Sequence, residues 1–302
     1  MNAYVFNIMQ ATVDVVGSSL HPTNKIAAGL WGNDRNGQSF SIYSTNIWPS
    51  AISQKIGHDH KIGNASGTIH AEIACILKAP LTNKAQIFIT DPPCPNCVKA
   101  LAEAGIHKVF IDHKGFDKDF AQRRGHEFEA LSLPLCREAG IGVYEVRRKE
   151  ERLTCLQKAG RGPAGLHAEG CHIIAEGEEL PESLKDKPYA QILARGENGI
   201  NLIAANALTF FSFEGDTEQG KYTPVLEPLT RILMIARREG LDIMPGTLHS
   251  SRIPTSRELV NMVGAGISSL SVGDMNSARD IFGPIALKQL TESEIITVIV
   301  GK

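Results

Sequence analysis

Three side chains of metal-binding type, placed at the starts of two predicted helices, constrain the fold of this chain more than any other feature. His70 begins one helical pattern, and Cys94 and Cys97 begin the next. Residues three apart lie on one face of a helix, so both thiols can point at the same ion. His70 can join them only if the two helices lie side by side on one sheet. The sequence therefore predicts a metal site formed by two adjacent helices.

The first half of the chain predicts an α/β domain beneath this site. Asn36-Gly37 is a strong hairpin signal. Later strand-like runs alternate with helical patterns, and the order β-β-α-β-α-β-α-β indicates a mixed sheet flanked by helices. The segment 46–67 lacks clear periodicity and is expected to be a loop, and loops of this length are more often functional than idle.

The second half appears as a repeat of the first in the sequence itself. Residues 93–111 align with residues 254–272 without a gap, at a constant offset of 161, and an Ala-Gly-Ile run recurs in both. Thr255 and Glu258 stand where the first half has its two cysteines, so the second copy cannot build the same metal site. The expected domains are a catalytic zinc domain at 1–150, a charged and glycine-rich linker at 151–165, and a degenerate copy without metal ligands at 166–302.

The ligand set indicates a catalytic zinc ion, one per chain. Structural zinc sites usually close all four positions with Cys or His, whereas His70, Cys94 and Cys97 leave one position for water. A bound zinc lowers the pKa of its water towards about 7. Glu72, two residues beyond His70, faces away from the ligand edge and can move a proton at that water. The positive end of the second helix favours thiolates at its cysteines.

Residues 20–147 resemble the cytidine/deoxycytidylate deaminase family, and deoxycytidylate deaminases most of all. His70-Ala71-Glu72 supplies the H-x-E motif, and Thr90–Cys97 supplies the P-C-x-x-C motif of zinc nucleobase deaminases. The resemblance implies a three-layer α/β/α cytidine deaminase-like fold with a mixed sheet, present twice. It also implies zinc-dependent hydrolytic deamination of a cytosine-type base in a nucleoside or nucleotide, with release of ammonia.

The same resemblance suggests substrate-binding residues. Relatives use an Asn after the second strand to contact the substrate sugar, and Asn46 is its counterpart. Trp48 can stack on a base or pack internally, and Ala71 lies between the metal ligand and Glu72. Pro92 stands where many purine and tRNA-adenosine deaminases carry Glu, which favours a pyrimidine substrate.

Two other functions stay open. Deamination of guanine or another aminated heterocycle fits the same motifs, and a zinc-stabilised binding protein without catalysis is the alternative of a different class. His58 and His60 are candidates for a second metal or a substrate phosphate, although a His-Asp-His run in a loop is more often solvent-exposed.

The charge, hydropathy and cysteine content of the chain restrict its expected partners and location. A net charge of −2 over 302 residues does not favour long nucleic acid, so a small-molecule substrate is expected. No run reaches the roughly 18 apolar residues that span a bilayer, and the start lacks the features of a signal peptide. Six scattered cysteines favour reduced thiols and a cytoplasmic location. Family members commonly complete the pocket with a neighbouring domain, which allows a homodimer or the same arrangement within one chain.

Overall fold

The computed structural model describes residues 3–58, 60–117, 126–160, 162, 168–213 and 222–300. These residues form a six-stranded sheet in the first half and a seven-stranded sheet in the second, with two short two-stranded hairpins. Within the described ranges, no helix combines the length and the apolar character needed to cross a membrane.

The first sheet is mixed, as expected. The strands of the first half are β1 (Ala27–Asn33), β2 (Ser39–Thr45), β3 (Lys61–Ile62), β4 (Ala65–Ser66), β5 (Gln86–Ile89), β6 (Lys108–Asp112), β7 (Gly142–Arg147) and β8 (Arg152–Gln157). The order in the sheet is β2-β1-β5-β6-β7-β8, and β3 pairs with β4 separately. β1 runs antiparallel to β2 and β5, whereas β5, β6 and β7 are parallel.

Helices cover both faces of this sheet. They are α1 (Ala3–Asp14), α2 (Ser50–Lys55), α3 (Ala71–Lys78), α4 (Pro95–Glu103) and α5 (Leu133–Glu138). Side chains alternate across a strand, so Phe88 and Phe110 pack with Met9 of α1, while Ile87 and Ile89 face the larger core that contains α3 and α4. The first half is therefore a three-layer α/β/α domain.

The structure corrects two expectations about irregular segments. The segment 46–67 contains α2 and the β3–β4 hairpin, elements too short to produce a periodic apolar pattern. Residues Arg152–Gln157, placed in the linker by the sequence, form β8 antiparallel to β7. β8 is a largely exposed edge strand, so it lacks the alternation of buried apolar residues that marks a strand. The helix expected at 119–139 lies partly outside the described residues and is seen as a π-helical turn (Phe128–Ser132) followed by α5.

The second half contains its own mixed sheet. Its strands are β9 (Cys171–Ala175), β10 (Tyr189–Gly196), β11 (Gly199–Asn206), β12 (Leu208–Thr209), β13 (Val225–Leu226), β14 (Asp242–Ile243), β15 (His249–Ile253), β16 (Ser269–Ala278) and β17 (Thr297–Val300). Its helices are α6 (Glu182–Lys185), α7 (Pro228–Arg238), α8 (Ser256–Gly264) and α9 (Phe282–Glu292). The sheet order is β17-β16-β15-β10-β11-β9, and β14 also pairs with β10.

Five strands of the second sheet have the order and directions of five strands in the first. In the second sheet, β10 runs antiparallel to β11 and β15, and β15, β16 and β17 are parallel to one another. In the first sheet, β1 has the same relation to β2 and β5, and β5, β6 and β7 are likewise parallel. Gly105 and Gly266, which recur in the sequence repeat, follow α4 and α8 with φ of +75° and +80°. A left-handed residue after a helix is typically glycine, which explains why this position is the same in both halves.

The two halves pack through their helices. α3 and α4 contact α7 and α8, and one continuous apolar core includes residues of both sheets. Glu103 at the end of α4 is fully buried and forms ion pairs with Arg231 and Arg238 of α7, at 3.4 and 2.9 Å. α3 and α4 of the first half are thus held against α7 and α8 of the second.

Candidate zinc site and its cavity

Two of the metal-binding side chains occupy the N-cap positions of neighbouring helices. His70 precedes α3 and Cys94 precedes α4, both in extended backbone conformations, and neither side chain caps its helix. The cap of α3 comes from elsewhere in the chain: Asn46 Oδ1 accepts a hydrogen bond from the Ala71 N–H at 2.9 Å. This frees the His70 ring to turn towards the cysteines.

Two of the three separations between the donor atoms are those of a tetrahedral zinc site, and the third is slightly shorter. His70 Nδ1 lies 3.2 Å from Cys97 Sγ and 3.6 Å from Cys94 Sγ, and the two sulfurs are 3.6 Å apart. Ligand atoms about 2.0–2.3 Å from a tetrahedral zinc lie about 3.5–3.8 Å from one another. One nitrogen and two sulfurs are also the donors zinc prefers. Among the described residues these three form the cluster suited to a metal, so the residues present fit the ion.

Glu72 faces the same cavity from the first turn of α3. Its side chain is 3% exposed. Burial raises the pKa of the Glu72 carboxyl, and nearby His70 opposes that rise. A carboxyl whose pKa moves towards neutral is suited to accept and return a proton at physiological pH.

The Cys97 thiol does not follow the expectation from the helix dipole. The hydrogen bond with Cys94, followed by burial, raises the pKa of the Cys97 thiol well above its usual range. The helix terminus therefore does not produce a thiolate on its own. Zinc binding at this site requires release of the thiol protons to solvent.

The site opens into a cavity of about 990 Å³ that both halves line. Its wall includes His70, Glu72 and both cysteines from the first half. The second half contributes Tyr222, Glu227, Thr255, Arg257 and Glu258, among others. This volume is at the upper end of the range for pockets that enclose small molecules.

Of the three expected substrate-binding residues, only Asn46 is among the residues that line the cavity. Asn46 lines the cavity, but its amide is also used internally, since Nδ2 donates to the Asn24 carbonyl at 3.1 Å. Ala71 is fully buried beside it. Trp48 lies behind the cavity wall, with its ring stacked 5.1 Å from the His21 ring that lines the cavity. Substrate contact by these three residues stays a prediction.

The two loop histidines lie apart from the ligand cluster. His58 and His60 are exposed, and the His58 ring packs 4.6 Å from Trp48. Within the described part of the chain, neither belongs to the group of metal-binding side chains.

The second half replaces the zinc ligands with a helix cap and ion pairs. Thr255 and Glu258, at the positions of the cysteines, form a capping box at the start of α8. Glu227 begins α7 as His70 begins α3, and it pairs with Arg252 at 3.0 Å and with Arg279 at 2.5 Å. The Thr-x-x-Glu spacing at 255–258 is the sequence signal that identifies this cap. The role of Glu227 has no such local signal, because its partners are distant in the chain.

The fold and the site define a class: an α/β protein in which a His-Cys-Cys cluster and a buried glutamate face one cavity. This is the arrangement of zinc enzymes that activate water and move protons beside the metal.

Comparison with known proteins agrees with that class. Residues 42–113 match the family model described as the cytidine and deoxycytidylate deaminase zinc-binding region. An uncharacterized deaminase in the luxG 3′ region of Aliivibrio fischeri is 28% identical over 132 residues, which cover 43% of this chain and 85% of that protein. The deoxycytidylate deaminase of Enterobacteria phage T4 is 32% identical over 94 residues, 30% of this chain and 44% of the phage enzyme.

A solved structure is also similar to part of the chain. The dCMP deaminase of cyanophage S-TIM5, in its apo form, is 21% identical, with a TM-score of 0.31, and the match covers 48% of this chain and 100% of the phage protein.

Proposed function

We propose that this protein is a zinc-dependent hydrolytic deaminase that acts on a cytosine-type base in a nucleoside or nucleotide. The observation that carries the proposal is the convergence of His70, Cys94 and Cys97, at tetrahedral spacing, with the buried carboxyl of Glu72 in one cavity. A purely structural zinc site would close the fourth position with a further ligand.

Zinc held by these three residues supplies an open coordination position and lowers the pKa of water there towards about 7. Glu72 accepts the proton of the attacking water and delivers it to the ring nitrogen beside the amino-bearing carbon. It then transfers the second water proton to the departing amine, so one water is consumed and one ammonia is released. Burial of Glu72 keeps bulk water away from these transfers.

The proposed substrate follows from the cavity and the relatives. A volume of about 990 Å³ accommodates a base with its sugar and phosphate. One relative is named a deoxycytidylate deaminase, which supports a cytosine-type base. The cytosine preference and the zinc requirement belong to this proposal.

We also infer that the second half is a degenerate copy of the deaminase fold. Shared strand order, shared strand directions and the gapless sequence repeat support this inference. In this view α7 and α8 complete the cavity wall that a neighbouring subunit supplies in assembled relatives.

Ammonia release tests the enzymatic proposal. The zinc-loaded protein is incubated with a panel of cytosine, adenine and guanine bases, nucleosides and nucleotides, with Glu72→Gln beside it. We expect turnover on a cytosine derivative and a loss of about 10²–10⁴-fold or more in Glu72→Gln, with zinc content unchanged. Glu292→Gln, the same change at an exposed carboxyl of α9, serves as the control and should match the wild type.

Two results would contradict the proposal. One is equal turnover in Glu72→Gln and Glu292→Gln, which would remove Glu72 from the chemistry. The other is absence of ammonia release across the whole panel while about one zinc stays bound, which would favour the zinc-stabilised binding protein.

A further inference from the structure

Two cationic side chains cross the interface between the halves in opposite directions. Arg257 of α8 donates through Nη1 to the Thr68 carbonyl at 2.6 Å and through Nη2 to the Ser66 carbonyl at 3.2 Å. Lys99 of α4 donates through Nζ to the Thr223 carbonyl at 3.0 Å and to the Val225 carbonyl at 2.9 Å. Each cation therefore belongs to one half and holds the backbone of the other.

The acceptors of the two contacts are equivalent in register, although the donors are not at aligned positions of the repeat. The carbonyls that accept from Arg257 belong to the residues four and two positions before His70. The carbonyls that accept from Lys99 belong to the residues four and two positions before Glu227. His70 and Glu227 are the N-cap residues of α3 and α7. On each side of the interface, a cationic side chain of one half thus binds two backbone carbonyls that precede a helix of the other half.

We propose that Arg257 is a positioning residue for the zinc site, by which the degenerate half holds the segment that presents His70. This inference rests on the proposed function, because it assigns a role towards the metal ligand of that site. Lys99 holds the segment that leads to Glu227 in the same way. Glu227 occupies the N-cap position that corresponds to His70, but it forms ion pairs with Arg252 and Arg279.

The local structure explains why His70 needs this support. β4, which leads to His70, is two residues long and pairs only with the equally short β3 among the described strands. A backbone bridge between Ile47 and Ile69 is the adjacent constraint. The planar guanidinium offers two N–H groups in a fixed geometry. A single side chain can therefore hold the carbonyls of Ser66 and Thr68 at the same time.

The surroundings of Arg257 agree with this role. Among the described residues, no carboxylate lies within ion-pair distance of its guanidinium, and its hydrogen-bond acceptors are the backbone carbonyls of Ser66 and Thr68. Burial lowers the pKa of Arg257, and the nearby Cys94 and Cys97 act in the opposite direction.

Zinc affinity of the full-length protein tests the inference without relying on turnover. Arg257→Gln removes the guanidinium, and loss of a partner that orients a metal ligand typically weakens metal binding about 10–100-fold. We expect a loss of this size in competition with a chromophoric chelator. Arg257→Lys should restore part of the affinity, because an ammonium can donate to one or both carbonyls without the planar geometry.

Arg35→Gln is the matched control. Arg35 also crosses between the halves and donates through Nη2 to two backbone carbonyls, those of Glu239 and Gly240, at 2.6 and 3.1 Å. These acceptors follow α7 and are not part of the segment leading to His70. Arg35→Gln should therefore keep the zinc affinity of the wild type, even if both variants lose similar unfolding free energy.

The outcomes separate this inference from the proposed function. If the wild type binds no zinc, the proposed function fails. If the wild type binds zinc and Arg257→Gln stays within about twofold of Arg35→Gln, the positioning role alone is refuted. An unchanged zinc affinity with a KM increase confined to nucleotides over nucleosides would also refute it, because Arg257 would then contact substrate. If Arg257→Gln does not fold, Arg257→Lys decides by the same comparison.

Discussion

At the scale of single residues, metal binding and helix capping compete for the same positions. A good N-cap stabilises a helix by roughly 0.5–2 kcal/mol. His70 and Cys94 occupy N-cap positions without making side-chain caps. The chain compensates at α3 with the distant Asn46, whose amide oxygen accepts from the first helical N–H at 2.9 Å. Support for the ligand helix thus comes from a residue that the resemblance assigns to the substrate.

Replacement of Asn46 by alanine should therefore reduce stability. We expect Asn46→Ala to lower the free energy of unfolding by roughly 1–2 kcal/mol, because the Ala71 N–H and the Asn24 carbonyl both lose a buried partner. Urea denaturation measures the change. Asn64→Ala, at an exposed residue that lines the same cavity, should stay within about 0.5 kcal/mol of the wild type. Unchanged stability in Asn46→Ala with only a higher KM would show that the amide serves the substrate alone.

The sequence predicted the convergence of His70, Cys94, Cys97 and Glu72 because helical spacing determines which side chains share a face. It did not predict the second function of Asn46 or the contact of Arg257. Arg257 and the Thr68 carbonyl are separated by 189 positions, and no local pattern reports a contact of that range. The candidate metal ligands could be predicted from the sequence, whereas contacts between distant residues, such as Arg257 and Thr68, required the tertiary structure.

At the scale of elements, the start of α8 differs from the start of α4 in the role of its side chains. Thr255 caps the helix, and the Glu258 carboxylate accepts hydrogen bonds from the Thr255 N–H and from the Leu229 N–H, both at 2.8 Å. Glu258 therefore links α8 to the start of α7. The repeat in the sequence located this helix, and the capping pattern explains its start.

The buried carboxyl of Glu258 makes stability depend on pH. Burial, followed by the charge of Glu227, raises the pKa of Glu258 from 4.5 to about 7. The folded state then keeps a proton that the unfolded state has lost, so the stabilisation is complete below 4.5 and is lost as pH rises through about 7. We expect the free energy of unfolding to fall over this interval in urea titrations with a chelator present.

Glu258→Gln checks the assignment of that pH dependence. The amide does not ionise, so the variant should show a shallower decline than the wild type between pH 4.5 and about 7, whatever its absolute stability. The exposed Glu292→Gln should reproduce the wild-type slope. Parallel curves for wild type and Glu258→Gln would mean that another group titrates.

At the scale of the whole molecule, the two halves pack against each other through helices. Helices α3 and α4 of the first half contact α7 and α8 of the second, and the apolar core is continuous through the contact. The mixed sheet predicted from the sequence is confirmed, and the duplication stays a prediction that rests on the gapless repeat. The contact of α3 and α4 with α7 and α8 could not be predicted from the sequence. Each half has several apolar helix faces, and the sequence pattern does not determine which of them pack together.

One buried carboxylate supports that contact at its centre. Glu103 is fully buried between Arg231 and Arg238. Glu103→Ala leaves the buried guanidinium of Arg231 without this charge partner, which typically costs about 3–5 kcal/mol. We expect a loss of that size in urea denaturation, accompanied by weaker zinc binding because α4 carries both cysteines.

Glu239→Ala is the matched control, since Glu239 pairs with the same Arg238 at 2.9 Å but its side chain is 40% exposed. Exposed pairs contribute about 0–1 kcal/mol, because water screens both charges. If the two alanine variants lose equal stability, apolar packing alone holds the halves together, and Glu103 is a tolerated charge within it. A larger loss in Glu103→Ala, with zinc affinity falling in the same variant, would mean that the metal site depends on the contact between the halves.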